Sequence, residues 1–203
     1  GTISYMKNTL QIKLLVSPEQ ALKLLDLQKT FALACDEAAL FVARSRSWHR
    51  VTLHHLAYKS MREKFPTLGS QMVCNAIHTV SKASKEIFQD PKSSWTAVAK
   101  SGQPLPTLKF SDTTPVLFDK HTLTMKKNAL SIFTLDGRMH MQINLSEAIE
   151  TKLRNEKLKE LSLYRQKELF YLRFVFSDDA ENSLQIKPSV KVIPDSHPEP
   201  LAA

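Results

Sequence analysis

The chain has 203 residues, of which 42% are hydrophobic and 24% charged, and this composition excludes a wholly disordered protein. No run approaches the roughly 18 apolar residues of a membrane span, while Cys35 and Cys74 stand far apart without a CxxC partner, which argues against a disulfide scaffold and a zinc knuckle. The 28 Lys and Arg against 20 Asp and Glu give a net charge of +8, which favours a polyanionic partner, with a merely solubilising surface as the alternative.

The positive charge is uneven along the chain. Residues 177–203 carry five acids and two lysines, a net charge of −3, which leaves +11 on residues 1–176. The same segment holds four of the ten prolines, and we expect extended backbone over residues 187–193 and a loose end over the last ten residues. Because the first methionine is Met6, either residues 1–5 are extraneous or the chain is a piece of something longer.

The first predicted elements are a strand and a long helix. Residues 8–16 alternate apolar and polar side chains, which predicts a strand with one buried face. Residues 17–20 (SPEQ) then offer an N-cap, a proline at the first helical position and acceptors in the first turn. Apolar residues recur at steps of three and four from Leu24 to Phe41, so we expect a helix that ends near Ala43.

Two further helices are predicted over residues 53–65 and 71–88, with Thr52 and Ser70 as their N-caps. A proline and a glycine between them break the chain. One side of the later helix is apolar and the rest is polar and basic. Together, the three helices predict a small helical unit.

Short β-like runs follow residue 90. Residues 92–106 are rich in Ser, Pro and Lys, which indicates a linker or a partly ordered loop. One hairpin is expected to turn at Asp136-Gly137, where glycine tolerates a positive φ, and a second near residues 165–167, with a short helix capped by Ser146 between them. The predicted strands cover residues 107–110, 115–118, 122–125, 130–135, 138–145, 161–164 and 168–176.

The predicted fold class is α+β. A single leading strand is poorly stable alone, so it should pair with the later ones, and the helical unit becomes an insertion in a small antiparallel β-barrel. The predicted boundaries are 1–16 for the first barrel strand, 17–90 for the helical insertion, 91–106 for the linker, 107–176 for the rest of the barrel and 177–203 for an acidic, Pro-rich tail.

Signatures of the common enzyme classes are missing from the sequence, which has no GxGxxG, P-loop, HExxH or GxSxG motif. Asp112, Asp119 and Asp136 are predicted to lie in turns, where an aspartate more often binds backbone amides than Mg²⁺. His54 and His55 are adjacent and point to different helix faces, as ordinary surface histidines do. We therefore predict no catalytic residue, no metal and no cofactor.

Nucleic-acid binding fits the sequence better. On the polar face of the third helix, the amides of Gln71 and Asn75 can contact adenine edges, and Lys82 and Lys85 can hold phosphates. The loop after the first helix adds arginines around a tryptophan that can stack on a base, with a solvated loop and a core-packed tryptophan as the alternative. These residues are Arg44, Arg46, Trp48 and Arg50.

Five stretches share motifs with one family. They are residues 10–20 (LQIKLLVSPEQ), 31–38 (FALACDEA), 68–88 (LGSQMVCNAIHTVSKASKEIF), 130–141 (LSIFTLDGRMHM) and 163–176 (LYRQKELFYLRFVF). In that order they resemble motifs of the TnpB family, the OrfB transposases of insertion sequences. Those motifs are the opening strand with its Pro-x-x-Gln helix start, the F-N-x-A-C-N first helix, the L-x-S-Q-M helix, the S-T-L-x-G-R stretch and the Y-R-D-G-K-F-Y-L hairpin.

The resemblance implies the N-terminal half of an RNA-guided DNA endonuclease, related to the compact type V CRISPR effectors. In that family a helical recognition domain is inserted in a wedge β-barrel, and both contact a guide RNA and a short motif that flanks the double-stranded DNA target. The implied readers of the flanking motif are Thr52, Ser70, Gln71, Cys74, Asn75, Phe118, Asp119 and Lys120. The implied RNA- or phosphate-binding residues are Arg44, Arg46, Arg50, Lys82, Lys85, Lys126, Lys127 and Arg138.

The catalytic half of that family has no counterpart in this sequence. No Gly-Ile-Asp-x-Gly strand and no CxxC pair follow Phe176, so the Mg²⁺-binding RuvC carboxylates and the zinc finger have no positions to map onto. We expect a protein of the prokaryotic cytoplasm and nucleoid that binds guide RNA and DNA without cutting, in contact with a RuvC-containing nuclease half or a full-length relative. Two alternatives stay open: the N-terminal fragment of an intact RNA-guided endonuclease or transposase accessory protein, and a protein–protein regulator of a full-length relative.

Overall fold

The structure, a computed structural model, describes residues 3–6, 8–176 and 190–194, and within them the protein is α+β, as predicted. The helices are α1 (Pro18–Ser45), α2 (Arg50–Lys64), α3 (Gly69–Phe88), α4 (Thr96–Lys100) and α5 (Glu147–Asn155). The strands are β1 (Ile3–Met6), β2 (Thr9–Lys13), β3 (Thr107–Phe110), β4 (Val116–Phe118), β5 (Leu123–Lys126), β6 (Ala129–Thr134), β7 (Gly137–Gln142), β8 (Glu160–Gln166), β9 (Leu169–Val175) and β10 (Val190–Ile193).

Two compact units divide the chain. The sheet unit consists of residues 1–28 and 115–187, and the helical unit of residues 29–114 and 188–203. The sheet unit contains a five-stranded sheet of order β1-β2-β9-β8-β4 and a three-stranded meander of order β5-β6-β7. The helical unit contains α2, α3, α4 and a two-stranded sheet of β3 and β10.

The predicted closed barrel is wrong for the described residues. Closure requires that both edge strands of a sheet find a partner, but β1 and β4 remain edges of the five-stranded sheet, and the strands of the meander pair only with one another. All described pairs are antiparallel, as predicted, and the sheets stay open.

The predicted leading strand pairs with a strand from the end of the sheet unit, as expected: β2 lies beside β9. The first and last parts of the sheet unit, which are far apart in the sequence, therefore join in one sheet. Two rows of apolar side chains cross the sheet, and none of these residues is more than 5% exposed. The first row is Val116, Leu163, Leu172 and Ile12, and the second row is Phe118, Leu161, Phe174 and Leu10.

The opposite face of this sheet is also buried around β8 and β9. The rings of Tyr164 and Tyr171 stack with centroids 5.2 Å apart. Beside them Arg173, only 4% exposed, donates from Nη1 to Oε2 of Glu160 across 3.3 Å. Burial on both faces explains why β9 is apolar almost without alternation.

Several local signals in the sequence are confirmed. At the start of α1, Ser17 Oγ accepts the N–H of Gln20 (3.2 Å) and Gln20 Oε1 accepts the N–H of Ser17 (2.9 Å), a reciprocal capping box. Ser146 caps α5 by accepting the N–H of Ile149. The β6–β7 hairpin turns just before Gly137, whose φ of +125° few other residues adopt.

The predicted caps of the next two helices are wrong. Thr52 and Ser70 lie inside α2 and α3, and the residues that precede these helices, His49 and Leu68, make no side-chain cap. The reason for α2 is that the N–H of Leu53 already binds the carbonyl of His49, so the first turn closes before Thr52 is reached.

The segment 91–106, predicted to be a linker or a partly ordered loop, contains α4 and three buried residues, Thr96, Leu105 and Pro106. Extended backbone near residues 187–193 is confirmed where it is described, because β10 pairs with β3. The rest of the predicted acidic tail, residues 177–189 and 195–203, lies outside the described residues.

Candidate nucleic-acid interface

The strongest charge asymmetry lies in the helical unit. Residues 44–85, named here the basic helix pair, comprise the end of α1, α2, most of α3 and the connections between them. They contain eight Lys and Arg and one acidic residue, Glu63, and α3 adds Glu86 just beyond this range. A positive surface with so few acids attracts polyanions, because exposed cations act together over a Debye length of about 8–10 Å.

Packing of apolar side chains decides which polar residues face outward. α2 contacts α3, and its buried residues Leu53, Ala57 and Met61 recur at helical spacing. The buried apolar residues of α3 are Met72, Val73, Ala76, Ile77, Val80, Ala83 and Phe88. The same packing leaves cations at the surface, and the exposed ones are Arg50, Lys59, Lys64, Lys82 and Lys85.

An aromatic stack that was not predicted from the sequence lies on α2. The His54 and Tyr58 rings stack with centroids 4.6 Å apart, and Arg62 Nη1 donates to Tyr58 Oη across 3.3 Å. These residues follow one another at steps of four, the spacing that aligns side chains along one face of a helix. The spacing of four is visible in the sequence, but the prediction of ordinary surface histidines at His54 and His55 does not include this stack.

Within the helical unit, the residues predicted to read flanking DNA differ in their exposure to solvent. Thr52 and Gln71 are exposed, while Ser70 and Cys74 are half-buried, with the Cys74 Sγ 4.0 Å from Nδ1 of His54. Asn75 is 6% exposed, and its amide nitrogen lies 3.6 Å from the sulfur of Met72. Because a base reader needs an amide at the surface, Asn75 does not offer one in this structure.

Two residues of the loop after α1 have structural roles. The guanidinium of Arg46 donates to the carbonyls of Ala99 (2.8 Å) and Gln103. The backbone of Arg46 has a positive φ of +58°. Trp48 packs on Phe88, and its Nε1 donates to Gln89 Oε1. Trp48 is thus half-buried against Phe88 and not enclosed in the core, so the alternative of a core-packed tryptophan is met only in part. Arg44 is half-buried and Arg50 is exposed.

The remaining predicted residues belong to the sheet unit. Phe118 is buried in the second row, and Asp119 Oδ1 accepts the N–H groups of His121 (2.8 Å) and Thr122 (3.0 Å) in a turn. Arg138 binds oxygens of Ser131, His121 and Thr124 on the meander. The exposed cations of this group are Lys120, Lys126, Lys127 and Arg138.

Two buried groups have clearly shifted pKa values: the thiol of Cys35 in the helical unit and the phenol of Tyr164 in the sheet unit. Burial, followed by the nearby Asp36 carboxylate, raises the pKa of the Cys35 thiol well above its usual value, so this thiol stays protonated. Burial raises the pKa of Tyr164 to about 12, with a further increase from Tyr171 and an opposing effect of Arg173. Neither group is thereby suited to act as a nucleophile near neutral pH.

Two further findings concern the described part of the chain. There, no group of three or more His, Cys, Asp or Glu side chains is arranged to hold a metal ion. Among residues 3–6, 8–176 and 190–194, no helix combines the length and the apolar character needed to cross a membrane.

Comparison with known proteins shows no family. The sequence matches no protein-family model, and no curated protein is significantly similar to it.

Proposed function

We propose that this chain is a nucleic-acid-binding protein of TnpB type that binds a guide RNA scaffold and target-flanking duplex DNA without cleaving them. The observation that carries the proposal is the basic helix pair, where eight cations face one acid. On this proposal the α+β architecture corresponds to the wedge and recognition portions of such a protein, and its natural setting is the prokaryotic cytoplasm and nucleoid.

Phosphate binding would come from the cations that the fold leaves exposed. The exposed cations of the basic helix pair are Arg50, Lys59, Lys64, Lys82 and Lys85, of which Lys64 also pairs with Glu37 (2.7 Å). If each neutralises one phosphate of a duplex, the slope of log K against log salt concentration is about −4.5.

Base contacts would come from Gln71, whose amide is exposed in the first turn of α3 and can pair with an adenine edge. Thr52 in the first turns of α2 is exposed and can bind a phosphate or a base. Lys120 and Lys127 of the sheet unit would add phosphate contacts. Phe118 and Asp119 support that loop from within, since Phe118 is buried and Asp119 holds the turn.

The proposal is tested by RNA co-purification and by salt-dependent binding. The chain is expressed with its native flanking locus, and the RNA that stays bound through a moderate-salt wash is sequenced. We expect one structured RNA encoded beside the gene. Only bulk cellular RNA, or none, would contradict guide binding by this chain.

Two double substitutions that neutralise lysines, one inside and one outside the basic helix pair, test where phosphates bind. In K82Q/K85Q two exposed lysines of α3 lose their charge, and we expect the salt slope for duplex DNA to flatten by about 1.8. The control K29Q/K92Q makes the same chemical change at exposed lysines outside the basic helix pair and should leave the slope unchanged. Equal slopes for both variants would exclude the basic helix pair as the phosphate-binding surface.

Exposed apolar side chains favour a second candidate, a contact with a RuvC-containing nuclease half or a full-length relative. Leu33 and Val51 of the helical unit are 55% and 58% exposed. Isolated exposed apolar residues are common, but a protein partner would bury them. A complex with a full-length TnpB protein that survives nuclease treatment would support this candidate, and its loss after nuclease would leave nucleic acid as the bridge.

A further inference from the structure

The sheet unit contains a cavity that shares Lys120 and Lys127 with the proposed phosphate contacts but whose apolar interior the proposed function does not use. Its volume is about 790 Å³, within the range of about 300–1,000 Å³ that is usual for small-molecule sites. The second row of the five-stranded sheet provides Phe118, Leu161 and Phe174 as part of its lining. The cavity therefore opens onto the side of the sheet that elsewhere carries closely packed apolar residues.

Most of the other apolar lining is aliphatic. β5 contributes Leu123 and Met125, α5 contributes Leu153, and the segments on either side of α5 contribute Leu145 and Leu158. No residue of α5 is buried, although Leu153 is half-buried, and Leu158 is 40% exposed. The helix thus lines the cavity without filling it, and an occupant with a hydrocarbon body would bury these side chains.

The charged residues of the lining are mainly basic. Four cations, Lys120, Lys127, Arg154 and Lys159, are accompanied by three carboxylates, Asp119, Glu150 and Glu160. Two of these carboxylates have partners inside the fold: Glu160 binds Arg173, and Asp119 accepts backbone N–H groups in its turn. Only the charge of Glu160 is balanced by a cation outside the lining, so four cations against the Asp119 and Glu150 carboxylates still favour an anionic group on the occupant.

We propose that this cavity binds a small amphipathic anion: a free, monomeric aliphatic molecule with one acidic head group, of the alkyl carboxylate class. The aliphatic lining contacts the hydrocarbon part of the ligand. Lys120 and Lys127, which follow the ends of β4 and β5, bind the head group. Aromatic stacking plays no part in this assignment, because the rings of Phe118 and Phe174 are buried in the second row.

The test is calorimetric titration of the full chain with decanoate, octanoate, decanol and decylamine below their aggregation concentrations. We expect decanoate to bind about 15-fold more tightly than octanoate, since each of its two additional methylenes strengthens binding about fourfold when buried. Decanol and decylamine should bind at least about 10-fold more weakly than decanoate, because they lack the negative charge. Equal binding of decanoate and decylamine, or no binding of decanoate, would overturn the proposal.

Variants locate the site. K120Q/K127Q should weaken decanoate binding about 10-fold and leave decanol binding unchanged, whereas the charge-matched control K29Q/K92Q should change neither. M125W fills the cavity and should weaken both ligands. L158E, at a partly exposed lining position, keeps the test decisive if M125W fails to fold. Unchanged decanoate affinity in folded K120Q/K127Q and L158E would exclude this cavity.

A vesicle-binding experiment distinguishes a free ligand from a lipid surface. Binding to vesicles of anionic phospholipid without binding to monomeric decanoate would overturn the assignment to a free amphiphile. RNA co-purification by L158E should equal that of the native chain, so this proposal and the nucleic-acid proposal fail or succeed separately.

Discussion

Replacing Glu160 by glutamine tests the ion pair between Glu160 and the buried Arg173 in the sheet unit. Arg173 lies on the middle strand β9 and is 4% exposed, and its Nη1 is 3.3 Å from Glu160 Oε2 on β8. Glutamine keeps the shape and an acceptor oxygen but removes the negative charge. The buried guanidinium of Arg173 then loses the charge of Glu160, which water cannot replace at this depth.

The expected cost follows from burial. Removing one partner of a fully buried ion pair costs about 3–5 kcal/mol. The Glu160 side chain is 27% exposed, and glutamine still accepts a hydrogen bond, so we expect a smaller loss of about 2 kcal/mol. The stability of the five-stranded sheet should fall by that amount, while Tyr164 and Tyr171 keep their stacked arrangement.

Hydrogen exchange of peptides from β8 and β9 measures this loss directly, because the opening free energy of a sheet sets the exchange rate of its amides. A loss of 2 kcal/mol corresponds to about 30-fold faster exchange. The matched control E168Q makes the same change at an exposed glutamate in the β8–β9 turn and should alter stability by less than about 0.5 kcal/mol. The reasoning fails if E160Q and E168Q exchange equally, or if E160Q costs as much in an R173M background as in the native chain.

Two further predictions follow from buried titratable groups. At pH 8 an alkylating reagent should modify the half-buried Cys74 and leave Cys35 intact until urea unfolds the helical unit, because Cys35 is fully buried and its pKa is raised. Equal alkylation rates at both thiols, measured by mass spectrometry, would contradict this placement. The pKa of Tyr164 is raised from 10 to about 12 in the folded state, so its stabilising contribution is fully present below about pH 10 and is lost as the pH rises towards 12. Urea midpoints of the native chain should therefore fall more steeply between pH 10 and 11.5 than those of Y164F, and parallel pH profiles would contradict the burial of this phenol.

The sequence by itself determined the elements whose signals are local. The SPEQ stretch at residues 17–20 predicts the capping box of α1, because all four residues act within one helical turn. Alternation in residues 8–16 and the Asp136-Gly137 pair predict β2 and the β6–β7 hairpin for the same reason. The excess of cations in the basic helix pair is likewise visible in the sequence, and the TnpB resemblance and its implied nucleic-acid partners remain predictions.

Only the tertiary structure decided which polar residues face solvent. Asn75 and Arg46 carry side chains suited to nucleic acids, but contacts with Met72 and with carbonyls of the α4 region occupy them. Sheet closure was also undetermined, because a strand's sequence shows that it needs a partner but not which edge supplies one. Such contacts join residues far apart in the chain, and no local pattern encodes them.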